Sequence, residues 1–191
     1  QFEQALRSEG RGLLPINPEI ISKLYTHYCL LLRWNPVVKL TTITELRDAI
    51  RLHYCESLFL ASKLPQGTRT VMDYGSGAGF PGIPIAASRP EIELVLVERR
   101  RRKAAFLHEA TRGWGNVKVF SGEATELDQY FDRVVSRAVN PMEVLVECRR
   151  KAASVALLLG LSGAEALSAT KEVVWRERIA LPWGSRRVLL M

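Results

Sequence analysis

The sequence lacks any apolar run long enough to cross a membrane as a helix. Such a span needs about 18 consecutive apolar residues. The longest run here, residues 155–159 with small flanking residues, is typical of a buried strand. The first residues also lack the basic-then-apolar pattern of a secretory signal. We therefore expect a cytoplasmic protein that does not associate with membranes.

Cysteine is scarce, and its spacing excludes two classes of small domain. The three cysteines are Cys29, Cys55 and Cys148, and no two of them form a CxxC pair. An odd number at these spacings argues against a disulfide framework and against a zinc site. We expect three buried thiols in a reducing compartment and no bound metal.

Acidic residues are outnumbered by basic ones, 20 to 27, which gives a formal net charge of +7. This balance favours an anionic partner such as nucleic acid, but many basic proteins bind none, so charge alone leaves the question open. The chain shows no internal repeat, low-complexity segment or long linker. Its 191 residues suffice for one domain with a sizeable core. We predict a single domain over residues 1–191, and a monomer.

The first third of the chain, residues 1–66, is predicted to be a helical N-terminal extension. Asn17 and the proline after it form a helix start signal, and apolar residues follow at helical spacing. The proline within residues 34–36 predicts the end of that helix. A second helix is predicted to start near Thr44 and to end at residues 65–67.

Residues 67–191 alternate short apolar strands with helices. This alternation predicts an α/β fold with a mostly parallel seven-stranded sheet and helices on both faces. The predicted helices cover residues 84–88, 99–114, 141–151 and 164–172. The predicted strands cover residues 68–74, 92–97, 117–120, 131–136, 155–159, 173–181 and 186–191.

A glycine-rich turn, reading DYGSGAG at residues 73–79, follows the first predicted strand. Glycines let the backbone turn sharply and approach a ligand, and the next helix offers free N–H donors. The dinucleotide fingerprint starting at Gly75 would need a third glycine where Phe80 stands. The spacing therefore speaks against a nucleotide-dependent oxidoreductase, which stays as an alternative. Glycines at alternate positions after Asp73 resemble the first motif of Rossmann-like methyltransferases.

Glu98 is a second candidate, at the end of the second predicted strand. An acid about 20 residues past such a turn can accept hydrogen bonds from the ribose hydroxyls of an adenosine. The alternative is a solvated acid at the start of a helix, where it would favour the helix dipole.

More specific motifs resemble one family. The segment 73–84 reads DYGSGAGFPGIP, residues 136–138 read SRA, residues 34–35 read WN, and His53 stands between them. Together they resemble the bacterial 16S ribosomal RNA guanine-N7 methyltransferases, also called glucose-inhibited division protein B, over nearly the whole chain. The resemblance implies a Rossmann-like class I methyltransferase fold and S-adenosylmethionine as cofactor. It implies 16S rRNA or the small ribosomal subunit as partner. A non-catalytic RNA-binding or ribosome-assembly factor that keeps the fold stays as an alternative.

The resemblance also implies the site residues. We predict Arg137 as the catalytic residue and Asn35, Lys39 and His53 as substrate-binding residues, while a packing role for His53 stays open. Arg33, Lys39, Arg47, Arg51 and residues 99–103 are hypothesised to contact RNA phosphates. The predicted cofactor-binding residues are Asp73, Gly75, Ser76, Gly77, Phe80, Glu98, Ala124, Thr125 and Arg137.

Five positions depart from the pattern usual in that family. Lys39 stands in place of asparagine, and Glu56 in place of aspartate. Glu123 replaces an arginine, Thr125 an acid, and Leu159 a lysine. The changes at 123 and 159 remove positive charge from the expected RNA side. We still expect the chain to bind the cofactor. These departures are the reason for keeping the non-catalytic alternative.

Overall fold

Helices come first along the chain, and the strands begin at Thr70. The computed structural model describes residues 1–137, 139–148, 150–169, 174–183 and 187–191, without the side chains of Cys148 and Arg187. The helices are α1 Phe2–Glu9, α2 Pro18–Val38, α3 Leu46–Ala49, a π-helical segment Ile50–Cys55, α4 Glu56–Lys63, α5 Gly82–Ser88, α6 Arg101–Ala110, a 3₁₀ turn Ala124–Glu126, α7 Pro141–Cys148 and α8 Leu161–Ser168. The strands are β1 Thr70–Tyr74, β2 Glu93–Val97, β3 Val117–Phe120, β4 Arg133–Arg137, β5 Val155–Gly160, β6 Arg178–Ala180 and β7 Arg187–Leu190.

Within the described residues, these strands form one seven-stranded sheet in the order β3-β2-β1-β4-β5-β7-β6. The first five strands of that order are parallel, and β7 pairs antiparallel with both β5 and β6. The predicted α/β fold with a mostly parallel sheet is thus confirmed. The chain runs outward from β1 in one direction and from β4 in the other. Ligands of such sheets bind at the carboxyl ends of the strands beside this switch point.

Two apolar clusters cover the two faces of the sheet. On one face, α2, α4 and the π-helical segment pack with α5 and α6 in a continuous core that includes Leu31, Tyr54 and Ile83. On the other face, α7 and α8 supply Val144 and Leu167. The helical extension therefore shares its core with the sheet. This shared core supports the prediction that residues 1–66 and 67–191 form one domain.

The predicted end of α2 at residues 34–36 is wrong, because the helix continues through Pro36 to Val38. A proline inside a helix loses one backbone hydrogen bond. The helix tolerates this loss, and the side chain of Asn35 holds the chain after the helix by accepting hydrogen bonds from the N–H groups of Leu40 and Thr41, at 2.8 and 2.9 Å. Lys39 then ends the helix in the left-handed conformation, with φ of 56°.

Other boundaries also differ from the predictions. The second helix is interrupted by the π-helical segment, and α6 is shorter than predicted at both ends. Helix α8 begins at Leu161 and so precedes its predicted start. Of the predicted segments, residues 138, 149, 170–173 and 186 lie outside the described residues.

Two further expectations concern membrane-spanning helices and the burial of the cysteines. Among the described residues, no helix is long and apolar enough to cross a membrane. Cys55 is buried, as expected, but Cys29 is exposed, so the expectation of three buried thiols is wrong.

Substituting Lys39 by asparagine is expected to stabilise the fold. A residue with a Cβ in the left-handed region costs about 1–2 kcal/mol, and asparagine tolerates it better than lysine. We expect Lys39→Asn to raise the free energy of unfolding by about 1 kcal/mol, measured as a higher urea midpoint at unchanged slope. Arg33→Asn, also exposed but inside α2, is the control and should not raise it. A lower midpoint for Lys39→Asn would contradict the strain argument.

Candidate cofactor site

The glycine-rich turn leaves β1 at the switch point in a conformation that other residues rarely adopt. Gly75 and Gly77 have φ of 70° and 55°. A Cβ on Gly75 would lie 2.7 Å from Cγ2 of Val139, which follows β4. The turn is tied to β2 by the Ser76 N–H, which donates to the Val97 carbonyl at 3.0 Å. The backbone of the turn is therefore held close to the ends of three neighbouring strands.

Asp73 organises this turn from beneath. Its carboxylate is fully buried, and Oδ2 accepts a hydrogen bond from the Gly82 N–H at 3.0 Å. Oδ1 has no hydrogen-bond partner among the described residues. Burial raises the pKa of Asp73 to about 7, while the Gly82 N–H, Ser76 and the positive charge of Arg137 act in the opposite direction. The carboxylate is thus close to its point of protonation at neutral pH.

Glu98 connects the turn to the start of α6. Oε2 accepts the Gly77 N–H at 3.0 Å, and Oε1 accepts the Arg100 N–H at 2.8 Å. A carboxylate offers about four lone-pair sites, so acceptor capacity remains for two hydroxyl donors. Glu98 is only 6% exposed, so the directions from which its carboxylate can accept further hydrogen bonds are fixed.

A cavity of about 380 Å³ lies over the carboxyl ends of the strands, within the usual size range of a small-ligand site. Four predicted residues line it: Gly75, Gly77, Glu98 and Ala124. Ten further lining residues were not predicted for the cofactor site, although residues 99–103 were selected as RNA contacts: Tyr74, Val97, Arg99, Arg100, Lys103, Gly122, Glu123, Val139, Asn140 and Glu143. Most of them lie at or near the carboxyl ends of strands that neighbour the turn, so the order of the strands could have identified them.

The rim of the cavity carries both signs of charge. Arg99 and Glu123 form an ion pair at 3.5 Å, with both side chains largely exposed. Glu123 also starts the 3₁₀ turn, where its side chain and that of Glu126 cap each other's backbone. Arg99, which lies just before α6, therefore offsets the negative charge of Glu123 at the rim.

Five predicted cofactor residues do not line this cavity. Asp73 and Ser76 are buried within the turn, where the Ser76 hydroxyl donates to the Asp73 carbonyl at 2.9 Å. Thr125 is exposed beside Ala124. Phe80 and Arg137 lie on the side of the turn that faces the helical extension.

Phe80 is the centre of a buried cluster beneath the turn. The ring of His53 stacks on it, with centroids 4.5 Å apart, and the guanidinium of Arg137 lies 5.1 Å from its centroid. Nη1 of Arg137 donates a 2.6 Å hydrogen bond to the Leu52 carbonyl and lies 3.8 Å from Oε2 of Glu56. The predicted catalytic arginine is therefore held by the helical extension.

The three predicted substrate-binding residues surround one short loop. Asn35 also donates to the Thr41 carbonyl at 2.9 Å, and Nε2 of His53 lies 2.9 Å from the Thr41 hydroxyl oxygen. Asn35 and His53 thus fix the loop that follows α2. Lys39 is exposed at the start of this loop.

His27 also supports the turn, and the sequence analysis did not select it. Because a carbonyl can only accept, Nε2 carries the proton and donates to the Ala78 carbonyl at 3.0 Å. Nδ1 then accepts from the Tyr54 hydroxyl at 2.8 Å. Burial lowers the pKa of His27 to about 4. Its spacing from Leu24 and Leu31 on the buried face of α2 was the available signal.

Comparison with solved structures identifies the class of fold. A ribosomal protein L11 methylase from Lactobacillus delbrueckii aligns with a TM-score of 0.60 at 12% identity, covering 73% of this chain and 77% of that one. An RNA methyltransferase, described as putative, from Pyrococcus horikoshii aligns with a TM-score of 0.55 at 19% identity, covering 88% and 94%. The fold is that of the Rossmann-like class I methyltransferases.

Sequence comparison identifies the family. The model of the family described as rRNA small subunit methyltransferase G matches residues 20–175. A protein named ribosomal RNA small subunit methyltransferase G from Xanthomonas campestris is 33% identical over 95% of this chain and 84% of its own length. Its namesake from Dichelobacter nodosus is 39% identical over 72% and 67%. The chain belongs to this family, which confirms the resemblance.

The matched segment covers a different share of each relative's length. The match with the namesake from Methylobacillus flagellatus, at 32% identity, spans 78% of this chain and 73% of that protein. With the namesake from Chromobacterium violaceum, at 35% identity, it spans 68% of this chain and only 64% of that protein. Several relatives are therefore longer than the segment they share with this chain.

The buried neutral histidine gives a pH dependence with a defined sign. Between pH 6.5 and 4, the unfolded chain protonates His27 while the folded protein does not. Its contribution to stability is therefore present above pH 6.5 and decreases by up to about 3 kcal/mol as the pH falls towards 4. We expect the stability deficit of His27→Gln to shrink over this range in urea unfolding. The exposed His108→Gln should follow the wild type, and a constant deficit for His27→Gln would contradict the assignment.

For Asp73, the expected change of stability with pH has the opposite sign. Its pKa is raised in the folded state, so its contribution to stability is present below pH 3.8 and is lost as the pH rises through 7. We expect Asp73→Asn to gain stability relative to wild type between pH 5 and pH 8. Asp132→Asn should show no trend over this range, because the N–H groups of Arg69 and Thr70 lower the pKa of Asp132 and the group is ionised in both states. Parallel trends for the two variants would contradict this prediction.

Proposed function

We propose that the chain binds S-adenosylmethionine in the 380 Å³ cavity and transfers its methyl group to N7 of a guanine in 16S rRNA. One observation carries the proposal: the glycine-rich turn with Gly75 and Gly77, the loop with Glu98 and the loop with Ala124 follow three different strands and meet in this cavity. The reaction class is supported by membership of the rRNA small subunit methyltransferase G family.

The residues of the cavity fit this cofactor. The remaining lone pairs of Glu98 suit the two ribose hydroxyls of an adenosine. The left-handed backbone at Gly75 and Gly77 brings the chain close to the cavity without a Cβ. When bound, the cofactor supplies a methyl group activated on a positively charged sulfur. The cavity is lined by three carboxylates, of Glu98, Glu123 and Glu143, and by three cations, of Arg99, Arg100 and Lys103.

The proposed reaction needs no general base. Guanine N7 carries a lone pair and no proton, so it can attack the methyl group directly. Catalysis then depends on orienting the base and on electrostatics, and orientation alone can contribute about 7–11 kcal/mol.

Arg137 is proposed to act on the substrate side of the switch point. It ends β4, beside β1, on the sheet face that also carries Asp73. A guanidinium can stack on a base or hold a phosphate through two hydrogen bonds. Its contacts with the Leu52 carbonyl and Phe80 fix its plane before any substrate binds.

Exposed cations are proposed to contact RNA phosphates around the site. Arg33 and Lys39 are exposed on and just after α2, and Arg99 to Arg102 are exposed at the start of α6. Arg47 and Arg51 share Glu9 as an acidic neighbour, at 3.9 and 3.5 Å, so their charge is partly offset. Contacts with phosphates release counterions, which makes RNA affinity decrease with salt.

The decisive experiment combines transfer with mapping of the product. Labelled S-adenosylmethionine is incubated with small ribosomal subunits from a methylation-deficient strain, and the modified nucleotide is then mapped. We expect one labelled guanine in 16S rRNA. Cofactor binding without transfer to any ribosomal particle would instead favour the non-catalytic RNA-binding factor.

Glu98→Gln tests the cavity itself. Hydrogen bonds to a charged group contribute about 1.5–3 kcal/mol, so the cofactor dissociation constant should rise by about 10- to 100-fold in calorimetry. Glu93→Gln removes an exposed carboxylate at the other end of β2 and should leave the dissociation constant unchanged. Equal affinities for wild type and Glu98→Gln would argue against this cavity as the cofactor site.

A further inference from the structure

Glu56 is a buried carboxylate for which the proposed reaction has no role so far. It is the first residue of α4, directly after the π-helical segment, and it is 0% exposed. Burying a carboxylate is costly unless a charge or hydrogen-bond partner compensates. Its position therefore calls for a compensating group and suggests that its charge is used.

Arg137 supplies this compensation. Its Nη1 lies 3.8 Å from Oε2 of Glu56, and its side chain is only 10% exposed. The same Nη1 donates a 2.6 Å hydrogen bond to the carbonyl of Leu52. Leu52 and Glu56 are four residues apart on one continuous helical stretch, so both acceptors face the guanidinium from one side. A negative charge and a carbonyl dipole thus fix one nitrogen of Arg137.

The helix geometry at this point is unusual. Leu52 lies within the π-helical segment Ile50–Cys55, whereas Glu56 belongs to the α-helix that follows. π-helical turns are rare and occur often at functional sites. Here the segment also carries His53, whose ring stacks on Phe80. The segment therefore brings the Leu52 carbonyl to Arg137 and the His53 ring to Phe80, and Glu56 follows it directly.

Phe80 provides a second contact that orients the guanidinium of Arg137. Its ring centroid lies 5.1 Å from Cζ of Arg137, a cation–π contact in a buried setting. Phe80 follows the glycine-rich turn, and Arg137 ends the strand beside β1. The arginine is consequently oriented both against the helical extension and against the cofactor turn.

From this geometry we infer that Glu56 is a positioning residue for the methyl transfer: its buried charge holds the guanidinium of Arg137 against the Leu52 carbonyl and over Phe80. This role rests on the proposed function. Without the carboxylate, the guanidinium would be a buried charge with weaker compensation, which is strongly unfavourable. It would turn away from the Leu52 carbonyl, and the direction from which it acts on the substrate would change.

The test uses four single variants and one double variant of the full chain. Glu56→Gln keeps the size of the side chain and removes its charge, whereas Glu56→Asp keeps the charge. We measure kcat and KM with small ribosomal subunits, cofactor affinity by calorimetry, and the thermal midpoint. We expect Glu56→Gln to lower kcat by about 10- to 100-fold, because a misplacement of about 1 Å can have this effect. The cofactor dissociation constant should not change, and Glu56→Asp should recover most of the kcat.

The double variant separates positioning from a purely structural role. If Glu56 acts through Arg137, then Glu56→Gln with Arg137→Ala transfers methyl groups no more slowly than Arg137→Ala alone. Additive losses, or a lowered thermal midpoint with wild-type kcat for Glu56→Gln, would overturn the positioning role. A wild-type protein that binds the cofactor but transfers no methyl group would overturn the proposed function itself, and the positioning role with it.

Glu91→Gln is the matched control. Glu91 also pairs with an arginine, Arg89, whose Nη1 donates to helix carbonyls, those of Ala61 and Leu64. This arginine lies at the far end of α5, away from the cavity. Glu91→Gln should therefore keep the wild-type kcat. An equal loss of kcat in Glu91→Gln and Glu56→Gln would mean that any weakened arginine contact slows transfer, and would overturn the specific role of Glu56.

Discussion

The site depends on keeping the glycine-rich turn in a backbone conformation that costs free energy unless neighbouring groups hold it. Three buried or nearly buried polar side chains do so. Asp73 accepts from the Gly82 N–H, Glu98 accepts from the Gly77 N–H, and His27 donates to the Ala78 carbonyl. Each of them comes from a different element, namely β1, the end of β2 and α2. The shape of the turn is therefore a property of the whole fold.

The turn separates two environments with different chemistry. Above it, the cavity is lined by backbone, small residues and an exposed mixture of charges, which suits a charged nucleoside ligand. Below it, aromatic rings surround Phe80, with centroids of Tyr54 and His27 at 5.1 and 5.2 Å. Buried polar groups in this lower layer are paired through specific hydrogen bonds. Such networks favour one arrangement over alternatives when every member is satisfied.

The sequence could predict the upper layer better than the lower one. Glycine spacing and an acid after the second strand are local patterns, so Gly75, Gly77 and Glu98 were found correctly as neighbours of one cavity. The placement of Phe80 and Arg137 beneath the turn depends on how the helical extension packs, which no local pattern reports. Alternation along β4 does place Arg137 on the face of Val135, opposite to Val134. The end of α2 was mispredicted because Trp34 and Val38 pack against the core on either side of Pro36, so packing outweighs the one backbone hydrogen bond that the proline removes.

The shared core of the extension and the sheet has a consequence for how this protein can be divided. Helix α2 supplies His27, and the π-helical segment supplies the His53 ring that stacks on Phe80 and the Leu52 carbonyl that accepts from Arg137. A sheet excised at Thr70 would lose these partners and would expose an aromatic side chain directly under its ligand loop. The strands and glycines alone are thus not a transplantable nucleoside-binding module. The first 66 residues contribute to the ligand loop indirectly, because they support it from the side opposite to the cavity.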